Sequence, residues 1–386
     1  MVRNRILVLG VGHAQADLVR ICKEYGYEVY TCANSEAGPA RALADGFRLV
    51  DISDLDGVAE YARGVSADLV YSVGSDIAMP TVCRVSELLG LPCFVPSETA
   101  VLCNTKHLMR ERLGEDFPWN LGFQCLGSPE EFSPMDFPLM MKPADSQGQR
   151  GVRLVSSREE MERHFLESLG FSRCRRVVLE EYAEGPEIGV SMYVLDGEVA
   201  FLGAYDRMPW PHVPGLTLGR GAVTPSRMVS ADPQPVRRLM EETVRRLGIR
   251  NGPAFSQVRY KGMEPKLLEI SPRLDGGHLW RLWKLSTGVD LLRATVEHFS
   301  GKIPSREDFL PRGNVVQAIQ ESLCSPPLAP MDRKRFRVDG TDHVEWYYEH
   351  GEPVRSINGI LEHVGCIFRR LSHSERLHYA FPYEVL

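Results

Sequence analysis

The sequence predicts a mixed α/β and α+β protein: a parallel, Rossmann-like α/β unit at the N terminus, a central unit of strands and helices, and a small β-rich C-terminal unit. Two observations predict this. Over the first hundred residues, β-branched runs alternate with stretches of helical apolar spacing, and that rhythm makes a parallel sheet with helices on its faces. From residue 137 onward, strand runs follow one another through short turns, which makes antiparallel hairpins. At 386 residues the chain is too long for one ordinary core. The expected divisions are 1–104, 105–300 (with a lid subdomain at about 115–185) and 301–386.

RILVLGVG (5–12) is the first strand and ends in glycines, and AQADLVRICKEYG (14–26) has helical spacing and stops at Gly26. YEVYTCA (27–33), ADLVYSVG (67–74) and LPCFV (91–95) read as strands, and MPTVCRVSELLG (79–90) as a helix. Asn104 or Thr105 can cap a helix over Lys106–Leu113. The strands FPLMMKPA, VRLVSS, RVVLEEY, IGVSMYVL and EVAFLGAY follow, with Asp196-Gly197 as the hairpin turn between the last two. The proline-rich stretch 208–221 reads as an exposed loop. In DPQPVRRLMEETVRRLG the prolines are confined to the first helical turn.

Apolar residues make up 43% and charged residues 25%, the usual mix of a globular protein in water. The net charge of −6 gives no reason to expect nucleic acid or a membrane surface as partner. Arg173, Arg175 and Arg176 read as a solvated face rather than a phosphate track. No run approaches the ~20 apolar residues of a membrane helix. The nine cysteines include no CxxC, and Cys83, Cys93 and Cys125 stand in apolar company. Buried reduced thiols in a cytoplasmic protein, without a zinc site, are the expectation.

The most informative stretch is LLEISPRLDGGH (267–278) with AFSQVRY upstream and the turn KGMEP between them. A hairpin centred on Met263 sets Gln257 against Glu269, Arg259 against Leu267 and Tyr260 against Lys266. Ser271 shares a face with Glu269 because strand side chains alternate. Gln257, Glu269 and Ser271 then form a set of oxygen ligands suited to Mg²⁺ beside substrate phosphates. Arg273, past the strand end, can meet a phosphate bidentately. A plain surface hairpin would show the same alternation, so the reading depends on the rest of the chain.

Four separated segments together resemble the ATP-grasp superfamily. CNTKHLMRERL (103–113) is similar to its lysine-bearing helix, and PLMMKPADSQGQRGVRLV (138–155) to its strand, lysine and phosphate-covering loop. VVLEEYAEGPEIGVSMYV (177–194) is similar to its adenine hinge and ribose carboxylate, and 252–278 to its metal hairpin. The central unit is then the nucleotide-binding ATP-grasp domain, and the cofactors implied are ATP and Mg²⁺ (or Mn²⁺). The resemblance makes Lys106 a phosphate ligand. Lys142 ends an apolar strand, where a lone ammonium needs an anion. The loop around Ser146, Gly148 and Gly151 can close backbone N–H groups over phosphates. Backbone groups of Glu181 and Ala183 can read the adenine edge, Glu180 its amino group, and Glu187 both ribose hydroxyls. Arg273 and Lys142 are the catalytic candidates.

The wording ISPRLDGGHLWRLW resembles the branch containing the purine-pathway ligases and transformylases, biotin carboxylase and carbamoyl-phosphate synthase. In that branch the N-terminal unit lines the acceptor site, which implicates Gly12, Ser75 and Asp76, with Gly276, Gly277 and His278 nearby. Arg207 and Arg220 flank the proline-rich loop and are candidates for a substrate anion. Gln257 departs from the family, where an acid is usual, and Ser271 stands where asparagine is frequent. An amide coordinates without bringing charge, so the number of metal ions is open. The activity implied is a carboxylate–amine ligase working through an acyl phosphate on small-molecule substrates, in a homodimer by family analogy. A transformylase or carboxylase is the alternative. GVGHAQA (10–16) and Glu36 leave an NAD(P) oxidoreductase as a distant one, the third glycine of that fingerprint being absent. A nucleotide-binding module without catalysis is a further alternative.

Overall fold

The computed structural model describes residues 4–146, 148, 150–209, 219–338, 341–356 and 360–371. Most of the proline-rich loop (210–218), Gln147 and Gln149 of the glycine loop, and residues 372–386 of the C-terminal segment lie outside these.

The first unit runs β1 (Arg5–Leu9), α1 (His13–Glu24), β2 (Glu28–Ala33), α2 (Pro39–Leu43), β3 (Gly46–Leu49), α3 (Leu55–Gly64), β4 (Leu69–Tyr71) and α4 (Ala78–Leu89). Its strands pair in parallel in the order β3-β2-β1-β4. Ile6–Leu9 are buried, as expected of a strand covered on both faces. LPCFV is not a strand in the structure. Pro92 lies within it and Pro96 follows it, and a residue without an N–H makes poor ladder material. Phe94 instead packs its ring on Tyr71 and Phe299.

Next come α5 (Ser97–Asn104) and α6 (Lys106–Leu113). Thr105 holds the N-cap position of α6 without a side-chain bond. Its expected cap is replaced by a tertiary one, in which the Lys106 N–H donates to the Ala144 carbonyl at 2.9 Å.

A separate four-stranded sheet follows: β5 (Phe123–Leu126), β6 (Leu139–Pro143), β7 (Arg153–Val155), α7 (Arg158–Gly170) and β8 (Val177–Glu181), with the strands in the order β5-β8-β6-β7. Leu139, Met141, Val155, Phe165 and Leu179 form its separate core.

The remaining elements are β9 (Glu187–Leu195), β10 (Glu198–Met208), β11 (Gly221–Thr224), α8 (Arg227–Ala231), α9 (Gln234–Leu247), β12 (Gly252–Lys261), β13 (Glu264–Ser271), α10 (Leu279–Thr287), α11 (Leu291–Phe299), β14 (Ala318–Ser325), β15 (His343–Trp346) and β16 (Glu362–Arg370). They build one eight-stranded sheet, β13-β12-β9-β10-β11-β14-β16-β15. Asp196 and Gly197 both take positive φ at the β9–β10 turn, which suits a two-residue hairpin. The strands of the last segment continue this same sheet through β11 and β14, antiparallel. The fold class is the one the sequence predicts: a parallel α/β start followed by a large antiparallel sheet with helices.

All nine cysteines are free; Cys83 is buried as expected, but Cys93 and Cys125 are only half-buried. Among the described residues, no helix is long and apolar enough to cross a membrane.

Candidate functional site

A cavity of about 620 Å³ is lined from the loop after β4, from the four-stranded sheet and from the large sheet, including its C-terminal strands. That size suits a nucleotide-sized ligand. Gln257 and Glu269 both line it and are paired across β12–β13. The expected register holds from Phe255–Ser271 to Gln257–Glu269 and then slips by one. Arg259 therefore faces Lys266 rather than Leu267, and Tyr260 faces Pro265 rather than Lys266. The slip is a β-bulge at Leu268, whose carbonyl accepts from Arg110 Nη2 at 3.3 Å.

Among the described residues, the Glu269 carboxylate has no hydrogen bond or ion pair. Burial pushes it above the usual carboxylate range; Asp76 adds to this, and Lys106, Lys142 and Arg273 oppose it. Ser271 is buried beside it in a small adjoining space shared with Asp76, Lys106 and Arg273. No three His, Cys, Asp or Glu side chains among the described residues form a metal cage. One uncompensated carboxylate, one amide and one hydroxyl fit a divalent cation whose remaining positions are filled by phosphate and water.

Lys106 and Lys142 face the same cavity. Lys106 Nζ donates to the Ser146 carbonyl at 2.8 Å, and Lys142 Nζ pairs with Glu180 Oε2 at 2.5 Å. The glycine loop is less free than its composition suggests. Asp145 Oδ1 accepts from Ser172 Oγ and from the Arg173 N–H, both at 2.9 Å, so its base is clamped. Gly148 is exposed and Gly151 packs on Phe171 and Pro143, both at positive φ. Among the described residues, the buried Ser146 Oγ has no partner.

At the hinge, Glu180 departs from expectation. Its side chain is fully buried, with Oε1 at 3.1 Å from Arg110 Nε and Oε2 on Lys142. Burial alone would raise its pKa, but Arg110 and Lys142 outweigh that and hold it at about 2. Glu180 is thus an anchor for two cations rather than a free acceptor for an adenine amino group. The Glu181 N–H is also spent, on the Gly122 carbonyl at 2.8 Å, and its side chain pairs with Lys261. Ala183 lines the cavity together with apolar Leu121, Met140, Val152 and Leu268. Glu187 is bridged by Arg207 and Arg259, so a ribose would have to share it with two guanidinium groups.

The remaining candidates divide. Asp76, Arg207, Arg273, Gly276 and Gly277 line the cavity, whereas Gly12, Ser75, Arg220 and His278 do not. Arg273 is held by Asp76, with Nη2 at 2.5 Å and Nε at 2.7 Å, so it meets a carboxylate of the first unit rather than standing open to a phosphate. His278 is fully buried, its Nδ1 at 2.9 Å from Asp17, and it ties α10 to α1 instead of shaping the pocket. The Gly12 N–H is taken by Gln15 Oε1 at 2.9 Å, which closes that turn to an anion. Glu36 pairs with Arg41 at the surface.

Sequence reasoning missed Arg110, Asp275 and the wall from β14, β16 and Tyr347. Arg110 lay within a quoted helix, and its basic place on an apolar face was the available signal. Gln320, Ser322, His363 and Cys366 had none, because only long-range strand pairing brings them to the cavity.

Residues 135–280 match the model of an ATP-grasp domain. An uncharacterized protein, y4rH, of Sinorhizobium fredii is 26% identical over 334 residues, 82% of this chain and 68% of that protein. Carnosine synthase 1 of Homo sapiens is 25% identical over 340 residues, 78% of this chain but only 40% of its own length. Among solved structures, an L-amino acid ligase from Bacillus licheniformis shares the fold with a TM-score of 0.74 at 19% identity, covering 97% of this chain and 95% of that one.

Proposed function

We propose that this chain, whose residues 135–280 match an ATP-grasp domain, is an ATP-dependent ligase joining a carboxylate to an amine. The observation that carries the reading is the Gln257–Glu269 pair: a half-buried carboxylate, unpaired among the described residues, opposite an amide in one cavity with Lys106 and Lys142. The apolar side chains Leu121, Met140, Val152 and Leu268 beside Ala183 suit an adenine ring.

In this reading the substrate carboxylate attacks the γ-phosphorus of ATP, and ADP leaves. The neutral amine then attacks the acyl phosphate: a C–N bond forms, the C–O bond to phosphate breaks, and the nitrogen gives up one proton to the departing phosphate. The work asked of the chain is positioning and charge neutralisation. Lys106 and Lys142 take phosphate charge, with the loop at Ser146, Gly148 and Gly151 covering it. That cover excludes water, which would otherwise hydrolyse the intermediate. Glu269 and Gln257, with Ser271 nearby, would hold Mg²⁺ or Mn²⁺, and the ion would neutralise charge developing on the phosphate oxygens. Arg273, fixed by Asp76, keeps a guanidinium beside the reacting groups. The two substrates are small molecules, and a cytoplasmic homodimer belongs to the same proposal by family analogy.

A transformylase or carboxylase acting on a phosphorylated acceptor is less favoured. Gln320, Ser322, Tyr347, His363 and Cys366 form the C-terminal wall, and among its described residues there is no lysine or arginine for a phosphate. Gln257, being uncharged, is the one feature that favours a nucleotide-binding module without turnover.

ADP release with Mg-ATP and a panel of carboxylates and amines tests the proposal. Release that needs both substrates supports the ligase. Tight ATP binding with no turnover across the panel supports the module instead.

A further inference from the structure

Six acidic side chains line the cavity: Asp76, Glu180, Glu181, Glu187, Glu269 and Asp275. Four are neutralised by the chain itself, through Arg273, Arg110 with Lys142, Lys261, and Arg207 with Arg259. Glu269 is the carboxylate suited to a metal. Asp275 remains, and among the described residues no lysine, arginine or histidine comes within ion-pair distance of it.

Asp275 is nevertheless held in place. One oxygen accepts from the Gly277 N–H at 2.6 Å, which fixes the plane of the carboxylate. The segment around it is pinned to the first unit, where the Gly74 N–H donates to the Leu274 carbonyl at 3.1 Å. A Cβ on Gly74 would come within 2.8 Å of Gly276 Cα, so the two segments touch there with no room for a side chain. Burial keeps Asp275 above the usual carboxylate range even with Arg273 and Arg207 in its field. A positioned, partly buried carboxylate without a cation costs free energy until a ligand brings one. The C-terminal wall offers only neutral polar groups; burial lowers the pKa of His363 and keeps it uncharged.

We propose that Asp275 is the anchor for the acceptor, and that the acceptor is therefore a primary ammonium compound rather than a phosphorylated or otherwise anionic one. This rests on the ligase reading. Asp275 receives the ammonium through one charged hydrogen bond, its other oxygen staying on Gly277. The acceptor's remainder meets Gln320, Ser322 and Cys366.

The test uses hydroxylamine, which is uncharged at mildly alkaline pH and traps acyl phosphates as hydroxamates. Wild-type protein with Mg-ATP, hydroxylamine and a carboxylate panel first identifies an activated carboxylate. No hydroxamate with any carboxylate overturns the ligase reading and this proposal with it. With the carboxylate in hand, wild type and Asp275→Asn are compared using hydroxylamine, the twenty amino acids, simple alkylamines and phosphorylated amines as acceptors. Loss of one charge-assisted hydrogen bond predicts a rise of roughly 10–100-fold in the KM of the amine for the variant. Hydroxamate formation falls far less, and Asp275→Glu recovers part of the amine affinity. An unchanged amine KM overturns the anchor, as does a parallel loss of hydroxamate and amide, or a preferred acceptor that is anionic.

Discussion

Gln257 and Glu269 stand opposite each other across the β12–β13 ladder, and the bulge at Leu268 begins immediately beside them. An extra residue there lets the rest of the hairpin shift by one without turning Glu269 away from Gln257. The bulge carbonyl is caught by Arg110, which also holds Glu180, so the hairpin and the hinge are connected through one buried guanidinium.

Replacing Glu269 by Gln separates function from fold. Desolvation raises the pKa of this half-buried carboxyl, so the fold favours its protonated form, a contribution present below the unfolded value and lost as pH rises through the folded value. Glu269→Gln is therefore expected to melt higher than wild type in metal-free buffer at neutral pH. Its turnover with Mg-ATP falls on the order of a hundredfold or more. Scanning calorimetry and ADP release check the two halves.

Arg110 is expected to matter for stability more than for chemistry. Its side chain and that of Glu180 are both fully buried. Removing one partner of such a pair typically costs about 3–5 kcal/mol. Arg110→Met should show that loss in urea unfolding, and a change below about 1 kcal/mol would remove the pair from the account.

Acid stability follows from the same carboxylate. The pKa of Glu180 is depressed to about 2, so its contribution is present above the unfolded value of 4.5 and disappears as pH falls toward 2. Glu187, lowered by Arg207 and Arg259 against its own burial, acts in the same direction. The urea midpoint should fall steadily over that window, and in Glu180→Gln the slope should be shallower.

Lys142→Ala tests the phosphate reading. Loss of a charged contact to phosphate should weaken ATP binding by roughly 10–100-fold. Glu180 keeps Arg110, so the fold survives. Unchanged nucleotide affinity by calorimetry would move the phosphates away from Lys142.

What the sequence made legible was local. Strand alternation, the KGMEP turn and the apolar neighbours of Glu269 (Leu267, Leu268 and Ile270) were enough to oppose Gln257 and Glu269. The bulge was not legible, because Leu268 is displaced by a carbonyl contact to Arg110, 158 residues away. Arg273 and Asp76 are separated by 197 residues, and no local pattern says that the guanidinium is already taken. LPCFV misled for the opposite reason, since its apolar content looks like a strand while Pro92 within it and Pro96 after it deny it the ladder. His278 looked exposed to a pocket from its glycine neighbours, yet Asp17 on α1 draws it into the interior.

Manganese binding, followed by electron paramagnetic resonance with and without a non-hydrolysable ATP analogue, tests the central claim most directly. The account predicts tight Mn²⁺ binding by wild type only when the analogue is present, and its loss in Glu269→Ala. Equal binding without nucleotide, or undiminished binding by Glu269→Ala, would contradict it.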